Sequence, residues 1–298
     1  MTALPAPVWP VSALHIVNEL PLDPDFPLFQ HYPTMKLGVR ESVREYGRLL
    51  LPLAREAVAR RPESADWVIT APPFFAVPAG ANLVAGEICR QLTAALPSHV
   101  SLRATDLRLT VPTGDALKNV RADDYSSKGV EARIEERRRL FDDRTPAFDP
   151  AVFRGRAVLF VNDINVTGTQ QSFMQQAFEA AGPSSVDWLY IIQVDPRIGR
   201  SNPELEHTLN HFHLETFEAF AEVVARADID FTSRCVRRLL AYPAARLEPL
   251  FRALNDTRRR RLYDLATEER VYTRAEDVAT LALLREHFGR APCGSQGR

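Results

Sequence analysis

The stretch from Ala157 to Phe178, AVLFVNDINVTGTQQSFMQQAF, limits the fold more than any other part of the chain. Its first five residues, Ala157 to Val161, are all apolar and lack the alternation of a half-exposed strand, so they read as a strand buried on both faces. A helix from about Thr169 to Ala181 follows, with Gly182-Pro183 as its stop, and then a second apolar run, Val186 to Val194. Strand, helix and strand in that order require a crossover connection and thus a parallel pair. The order recurs upstream, where Trp67–Ala71 precedes Pro72-Pro73, a helix from about Ala79 to Ala95, and one or two strands between Val100 and Val111. A candidate strand at Ala13–Val17 and an amphipathic helix from Leu37 to Arg60 complete the first half. The fold class expected is α/β, a doubly wound and mainly parallel sheet.

Two segments depart from this rhythm. Residues 112–141 are polar, glycine-containing and then heavily charged, and an excursion of that length within a compact domain is commonly a functional lid or a disordered insert. Beyond about Phe231 the period is helical throughout, with Thr273 and Glu276 spaced as a capping box for the last helix and Gly289 placed to end it. The organisation expected is an α/β domain over residues 1–230 and a helical extension over residues 231–298.

Composition narrows the function classes. The 298 residues are 45% hydrophobic and 25% charged, which argues against wholesale disorder, and the formal net charge of −1 gives no sign of a nucleic-acid binder. No apolar run approaches the roughly 18 residues of a membrane span. The opening MTALPAPVWPVSALHIV lacks the basic start of a secretory signal, and Cys89, Cys235 and Cys293 are odd in number and far apart, so a reduced, cytoplasmic setting is expected. Cys89 reads as core. Of the 37 basic residues only Lys36, Lys118 and Lys128 are lysines. Codon bias accounts for most of that, though not for which three remain.

The chemistry concentrates just beyond Val161. A buried parallel strand delivers Asn162 and Asp163 to its carboxyl end, where open α/β sheets bind ligands. Asn165, Val166, Thr167, Gly168 and Thr169 then turn into a helix N-terminus, whose unpaired N–H groups, dipole and hydroxyls form a seat for a phosphate. A carboxylate beside such a seat suits a sugar phosphate. An isolated D-x-x-x-T-G-T is also what an ordinary strand–turn–helix would use for capping alone, and the two readings stand side by side at this level.

The full pattern, apolar strand, Asn-Asp, Thr-Gly-Thr and helix, resembles the phosphoribosyl-pyrophosphate (PRPP) motif of type I phosphoribosyltransferases. Ile69–Gly80, ITAPPFFAVPAG, is similar to that family's pyrophosphate loop, and DDYSSKGVEARIEERRRLF to the hood loop of its ComF-like members, including relatives found in tellurium-resistance gene neighbourhoods. The resemblance runs from about residue 30 to about residue 215. It implies PRPP and a small nitrogenous acceptor as substrates, Mg²⁺ as cofactor, neither nucleic acid nor membrane as partner, and a homodimer as a candidate assembly. Residue by residue, it implies that Val166–Thr169 hold the 5′-phosphate and that Asn162 and Asp163 hold the ribose hydroxyls. Ala71, Pro72, Pro73 and Phe74, with the hood residues Lys118, Tyr125, Ser126, Lys128 and Arg133, would meet the pyrophosphate. Asp163, Asn162 and Lys128 are the catalytic candidates. The metal would be held mainly by substrate and water, with Asp163 as the one protein ligand in reach. The family usually has two consecutive acids here, whereas this chain has Asn162, which brings no charge to a developing oxocarbenium ion. A PRPP-sensing protein without catalysis, or another sugar-phosphate enzyme, uses the same seat.

Three other signals have simpler readings. His207, His211 and His213 lack a completing ligand, and the last two fit a strand. Arg258–Arg261, among acids, reads as a solvated, salt-bridged helix face. Phe74 and Phe75 suit a base pocket or the core equally.

Overall fold

The computed structural model describes residues 9–23, 25–110, 131, 135 and 149–290. Within them, five strands form one parallel sheet: β1 (Val11–Val17), β2 (Asp66–Thr70), β3 (Ser101–Ala104), β4 (Ala157–Asn165) and β5 (Ser185–Val194), in the order β1-β5-β4-β2-β3. Every residue of β4 is buried, as a continuous apolar run in the middle of a two-sided sheet requires. The strand extends to Asn165, because Asn162, Ile164 and Asn165 continue the pairing with Tyr190, Ile192 and Gln193 of β5.

Strand periodicity sorts the core into two layers. Ala157, Leu159 and Val161 face a cluster built with α3 (Arg40–Ala59) and α4 (Gly80–Thr93), whereas Val158 and Phe160 face α6 (Thr169–Ala181) through Met174 and Phe178. Phe160, Phe178 and Trp188 pack edge to face at 4.9–6.0 Å, and burying each such ring contributes about 1.5–3 kcal/mol. The helices after β2 and β4 thus lie on opposite faces of the sheet. The chain turns outward on both sides between these adjacent strands, opening a crevice at their carboxyl ends.

The helix expected from Leu37 to Arg60 forms as α3, with its start displaced to Arg40. α1 (Pro27–Gln30) and α2 (Tyr32–Leu37) precede Gly38, which adopts φ +94°, and α3 starts afresh at Arg40. A Cβ at Gly38 would lie 1.8 Å from the Asp230 carbonyl oxygen, so glycine is required both by conformation and by contact. Of the strands expected between Val100 and Val111, β3 forms, and Arg108 makes only an isolated bridge with Phe74.

After β5 the described chain is helical: α7 (Pro196–Ser201), α8 (Leu205–His211), α9 (Phe217–Arg226), α10 (Ser233–Leu240), α11 (Ala244–Ala253), α12 (Asp256–Glu269) and α13 (Ala275–Glu286), with α5 (Pro150–Phe153) earlier, ahead of β4. Their shared core takes in Leu37, Val39 and Val77 from the first half of the chain. The stretch up to His211 is helix rather than strand, because Leu205 and Leu209, four residues apart, are buried together with Asn210 on one helical face. The last helix is capped one residue later than expected: the Asp277 carboxylate, not Glu276, accepts the Arg274 N–H at 3.2 Å. The arginine run is also not simply solvated. Arg258 donates to the Ala225 and Ala227 carbonyls at 2.7 Å each, closing the end of α9, and Arg259 is fully buried against the His287 and Arg290 carbonyls beyond α13. Arg260, paired with Asp256, and Arg261 are exposed, as the expected surface charges would be. Cys89 is half-buried against the first core layer, and Cys235 is buried.

Gly38→Ala should lower stability by about 3 kcal/mol or more, since a left-handed φ and a backbone collision act together. Urea unfolding with an unchanged m-value would measure it.

Candidate active site at the carboxyl edge of the sheet

Alternation along β4 sends Asp163 and Asn162 to opposite faces. Asp163 meets Lys36, in the last turn of α2, in a buried ion pair, the two residues being 7% and 8% exposed. The other carboxylate oxygen accepts the Ile164 N–H at 2.8 Å. Lys36 is held by its backbone as well, because the Thr232 hydroxyl donates to its carbonyl at 2.7 Å. Burial, reinforced by the charge of Asp163, pushes the Tyr32 and Tyr190 hydroxyls well above the usual phenol range, so both stay protonated. Asn162, on the α6 side, donates to Gln170 at 3.2 Å and accepts the Asp163 N–H at 2.9 Å.

The turn into α6 closes on itself. Asn165 accepts the Gly168 N–H at 3.0 Å while its amide binds Gln171 and Gln193, and the Thr167 and Thr169 hydroxyls lie 2.8 Å apart. Gly168 has φ +76°. Below the turn, Gly199 of α7 lies so close that a Cβ there would be 1.8 Å from the Val166 carbonyl oxygen. No local pattern marks Gly199 as part of this site.

The loop after β2 is equally engaged. Phe74 donates to Leu107 and accepts from Leu109, while the Asn82 amide binds the Pro72 carbonyl and its oxygen takes the Ala79 N–H. The buried Glu269 carboxylate at the end of α12 accepts the Ala76 and Val77 N–H groups at 3.1 and 2.7 Å. Pro72 and Pro73 have no N–H, and the Phe74, Ala76, Val77 and Ala79 N–H groups are all donated within the protein. Phe74 is buried beneath the Arg108 guanidinium, and Phe75 packs on the second core rather than in an open pocket.

A cleft of about 820 Å³ opens over the strand ends. Lys36, Pro72, Pro73, Gly80, Asn162 and Asp163 form its floor, and residues of α8 and α10 form its far wall. Ala71, Phe74, Asn165 and Val166–Thr169 border this floor without lining the cleft. Lys118, Tyr125, Ser126, Lys128 and Arg133 lie outside the described residues. Lys36 is the site residue that sequence reasoning missed, and the signal available was its survival as one of three lysines. On the far wall, the His207 and His211 rings lie 4.1 Å apart, and His211 Nδ1 donates to the His207 carbonyl at 2.7 Å. Burial lowers the pKa of His211.

A parallel sheet with Asn-Asp at the end of its central strand, turning through Val-Thr-Gly-Thr into a helix, defines a type I phosphoribosyltransferase-like protein. The family model described as PRTase ComF-like matches residues 14–284, and the chain belongs to that family of ComF-like phosphoribosyltransferases. The match extends past the stretch over which the resemblance was read and takes in the C-terminal helices. No curated protein matches the chain. Among the described residues, no helix is long and apolar enough to cross a membrane.

Two outcomes test this geometry. Lys36→Met should cost about 3–5 kcal/mol by leaving Asp163 buried and unpaired, and adding Asp163→Leu should recover most of the loss, as a denaturant double-mutant cycle would measure. Glu269 has a pKa raised by burial, against which its N–H donors pull down. Its stabilising contribution is therefore full below the ordinary value of 4.5 and lost as pH rises through the raised native value. Glu269→Gln keeps the acceptor without the charge, so the variant should match the wild type in acid and gain on it as pH rises, in melts from acid to neutral pH.

Proposed function

We propose that the chain transfers the 5-phosphoribosyl group of PRPP to a nitrogenous acceptor with release of pyrophosphate. One observation carries the reading: Asp163, buried at the end of the central strand, lies in the switch-point crevice beside a Thr-Gly-Thr helix start. In the reaction the acceptor nitrogen bonds to the ribose C1 as the bond from C1 to the diphosphate oxygen breaks. The diphosphate leaves with the bonding pair, and the nitrogen's proton passes to solvent. Positive charge develops on the ribose and negative charge on the leaving group. Asp163 stabilises the former and Lys36 the latter, so the ion pair of the resting site exchanges partners: each of its charges turns to the half of the substrate that it complements. The 5′-phosphate takes over the Gly168 and Thr169 N–H groups and the two threonine hydroxyls, displacing Asn165 from Gly168.

Among the described residues no group of three or more His, Cys, Asp or Glu could hold a metal, and Asp163 is paired with Lys36 in the resting site. In this reading Mg²⁺ arrives bound to the diphosphate as part of the substrate, and no step runs through a protein-held ion.

Asn162 favours a second reading, a PRPP sensor that binds without turnover. It adds no charge to the ribose side, so only Asp163 opposes the developing cation.

PRPP with Mg²⁺ should bind in calorimetry, and Asp163→Ala should abolish binding. Pyrophosphate release upon addition of an acceptor marks the transferase; binding without release for every base tested marks the sensor. Lys118→Arg and Lys128→Arg should slow turnover, since an ammonium is a compact point charge and a guanidinium is not. Wild-type kinetics in both would remove these lysines from the site.

A further inference from the structure

The far wall of the cleft carries a proton acceptor that the phosphoribosyl reading leaves unused. His211 ends α8 half-buried and lines the same cleft as Asp163 and Lys36. Its Nδ1 lies 2.7 Å from the His207 carbonyl oxygen, one helical turn back. A carbonyl can only accept, so Nδ1 carries the hydrogen and the lone pair of the neutral ring falls on Nε2. Nε2 lies at the outer edge of the ring, away from that carbonyl, and among the described residues no other hydrogen bond engages the ring. The His207 ring, 4.1 Å away and tilted by 37°, supports its plane from one side. Tautomer and orientation are thus set before any ligand arrives, as a general base requires.

The surroundings keep the ring neutral. Burial lowers its pKa from 6.5 and the charges of His207, Arg238 and Arg234 lower it further, against the bond to the His207 carbonyl, which raises it. The other ionisable groups lining the cleft on this side are Glu206 of α8, Glu215 beyond it and Arg237 of α10. From α2 come Lys36, matched by Asp163, and Tyr32, which stays protonated. A base is active when unprotonated, so His211 is competent at neutral pH and loses that competence only in acid.

We propose that His211 is the general base of the transfer and that the acceptor attacks through a nitrogen bearing hydrogen, an azole, amide or amine N–H, rather than through a pyridine-type nitrogen, which has no proton to lose. The proposal rests on the phosphoribosyltransferase reading and gives the acceptor's proton a route out through the protein. As the nitrogen bonds to C1, the bond from C1 to the diphosphate oxygen breaks and its pair leaves with the diphosphate. The N–H pair stays on the nitrogen, the proton passes to His211 Nε2, and the imidazolium then releases it to solvent.

The test follows pyrophosphate release by the full chain from PRPP and Mg²⁺ across acid to alkaline pH, with adenine, uracil, orotate and anthranilate as N–H acceptors and nicotinate as the pyridine-type control. At least one N–H acceptor should support release, at a rate that falls in acid, and nicotinate should support none. His211→Gln and His211→Ala should lower kcat about a hundredfold to ten-thousandfold and flatten the acid limb, while PRPP binds both as it does the wild type in calorimetry. Added imidazole should restore part of the rate to His211→Ala, a rescue that lost packing would not show. His207→Gln keeps the backbone carbonyl and should keep the acid limb. Thermal melts confirm folding, and the glutamine variant carries the pH profile should the alanine variant not fold. Release with nicotinate, an acid limb that survives in the His211 variants, or a limb lost in His207→Gln overturns the proposal. PRPP binding without release for any acceptor, or no PRPP binding at all, overturns the transferase reading itself, and the base with it.

Discussion

The ion pair between Lys36 and Asp163 is the contact on which the rest of the site depends. Withdrawing two charges from water costs several kcal/mol each, and proximity repays it only where the geometry is fixed. The chain fixes it from three directions. β4 carries Asp163 past the end of β2 on a stretch still paired with β5, α2 ends at Gly38 so that Lys36 points into the sheet edge, and Thr232 binds the Lys36 carbonyl from the start of α10. The Gly38 corner is in turn closed by the Asp230 N–H donating to the Gly38 carbonyl at 2.9 Å and by the Arg40 guanidinium on the Asp230 carboxylate at 2.7 and 2.8 Å. A displacement of the C-terminal helices would therefore reach Asp163 through a single side chain.

Those helices are coupled to the other side of the cleft as well. Glu269, from the end of α12, holds the loop after β2 by two backbone N–H groups, and Val77 of that loop is part of the helical core. From the segment after β3, Arg108 also holds this loop, donating to the Ala76 carbonyl at 2.9 Å while covering Phe74. The helices thus determine which loop donors face inward and carry the wall of arginines that faces Asp163. A family match that runs through residue 284 is what such an arrangement requires, because the cleft is incomplete without them.

What the sequence made legible and what it hid follow from the range of the interactions. The β4–turn–α6 unit was readable because each of its determinants is local: a continuous apolar run, a Thr-Gly-Thr turn and a Gly-Pro stop lie within some twenty-five residues. The order of strands and helices followed from the same kind of signal. Lys36 and Asp163 are 127 residues apart, and no periodicity links them. The corner at Gly38 ahead of α3 was hidden for the same reason, since the Asp230 carbonyl that leaves no room for a side chain there lies far along the chain. Arg258 and Arg259 misled in the opposite sense: a run of arginines reads as surface until the carbonyls of two helix ends, some 30 residues away in sequence, are found to consume their donors. The histidines at 207 and 211 lay across a helix that a strand pattern also fitted.

The departure at Asn162 takes on a different meaning once Lys36 is in place. With Asn162 beside it, Asp163 leaves Lys36 a single carboxylate to match at the strand end. The amide stays useful without charge, because it accepts the Asp163 N–H and donates to Gln170, fixing the strand end on the α6 side while Asp163 is fixed on the other. In the transfer proposed above, the electrostatic work falls on how readily Lys36 leaves Asp163 for a more negative partner such as a diphosphate.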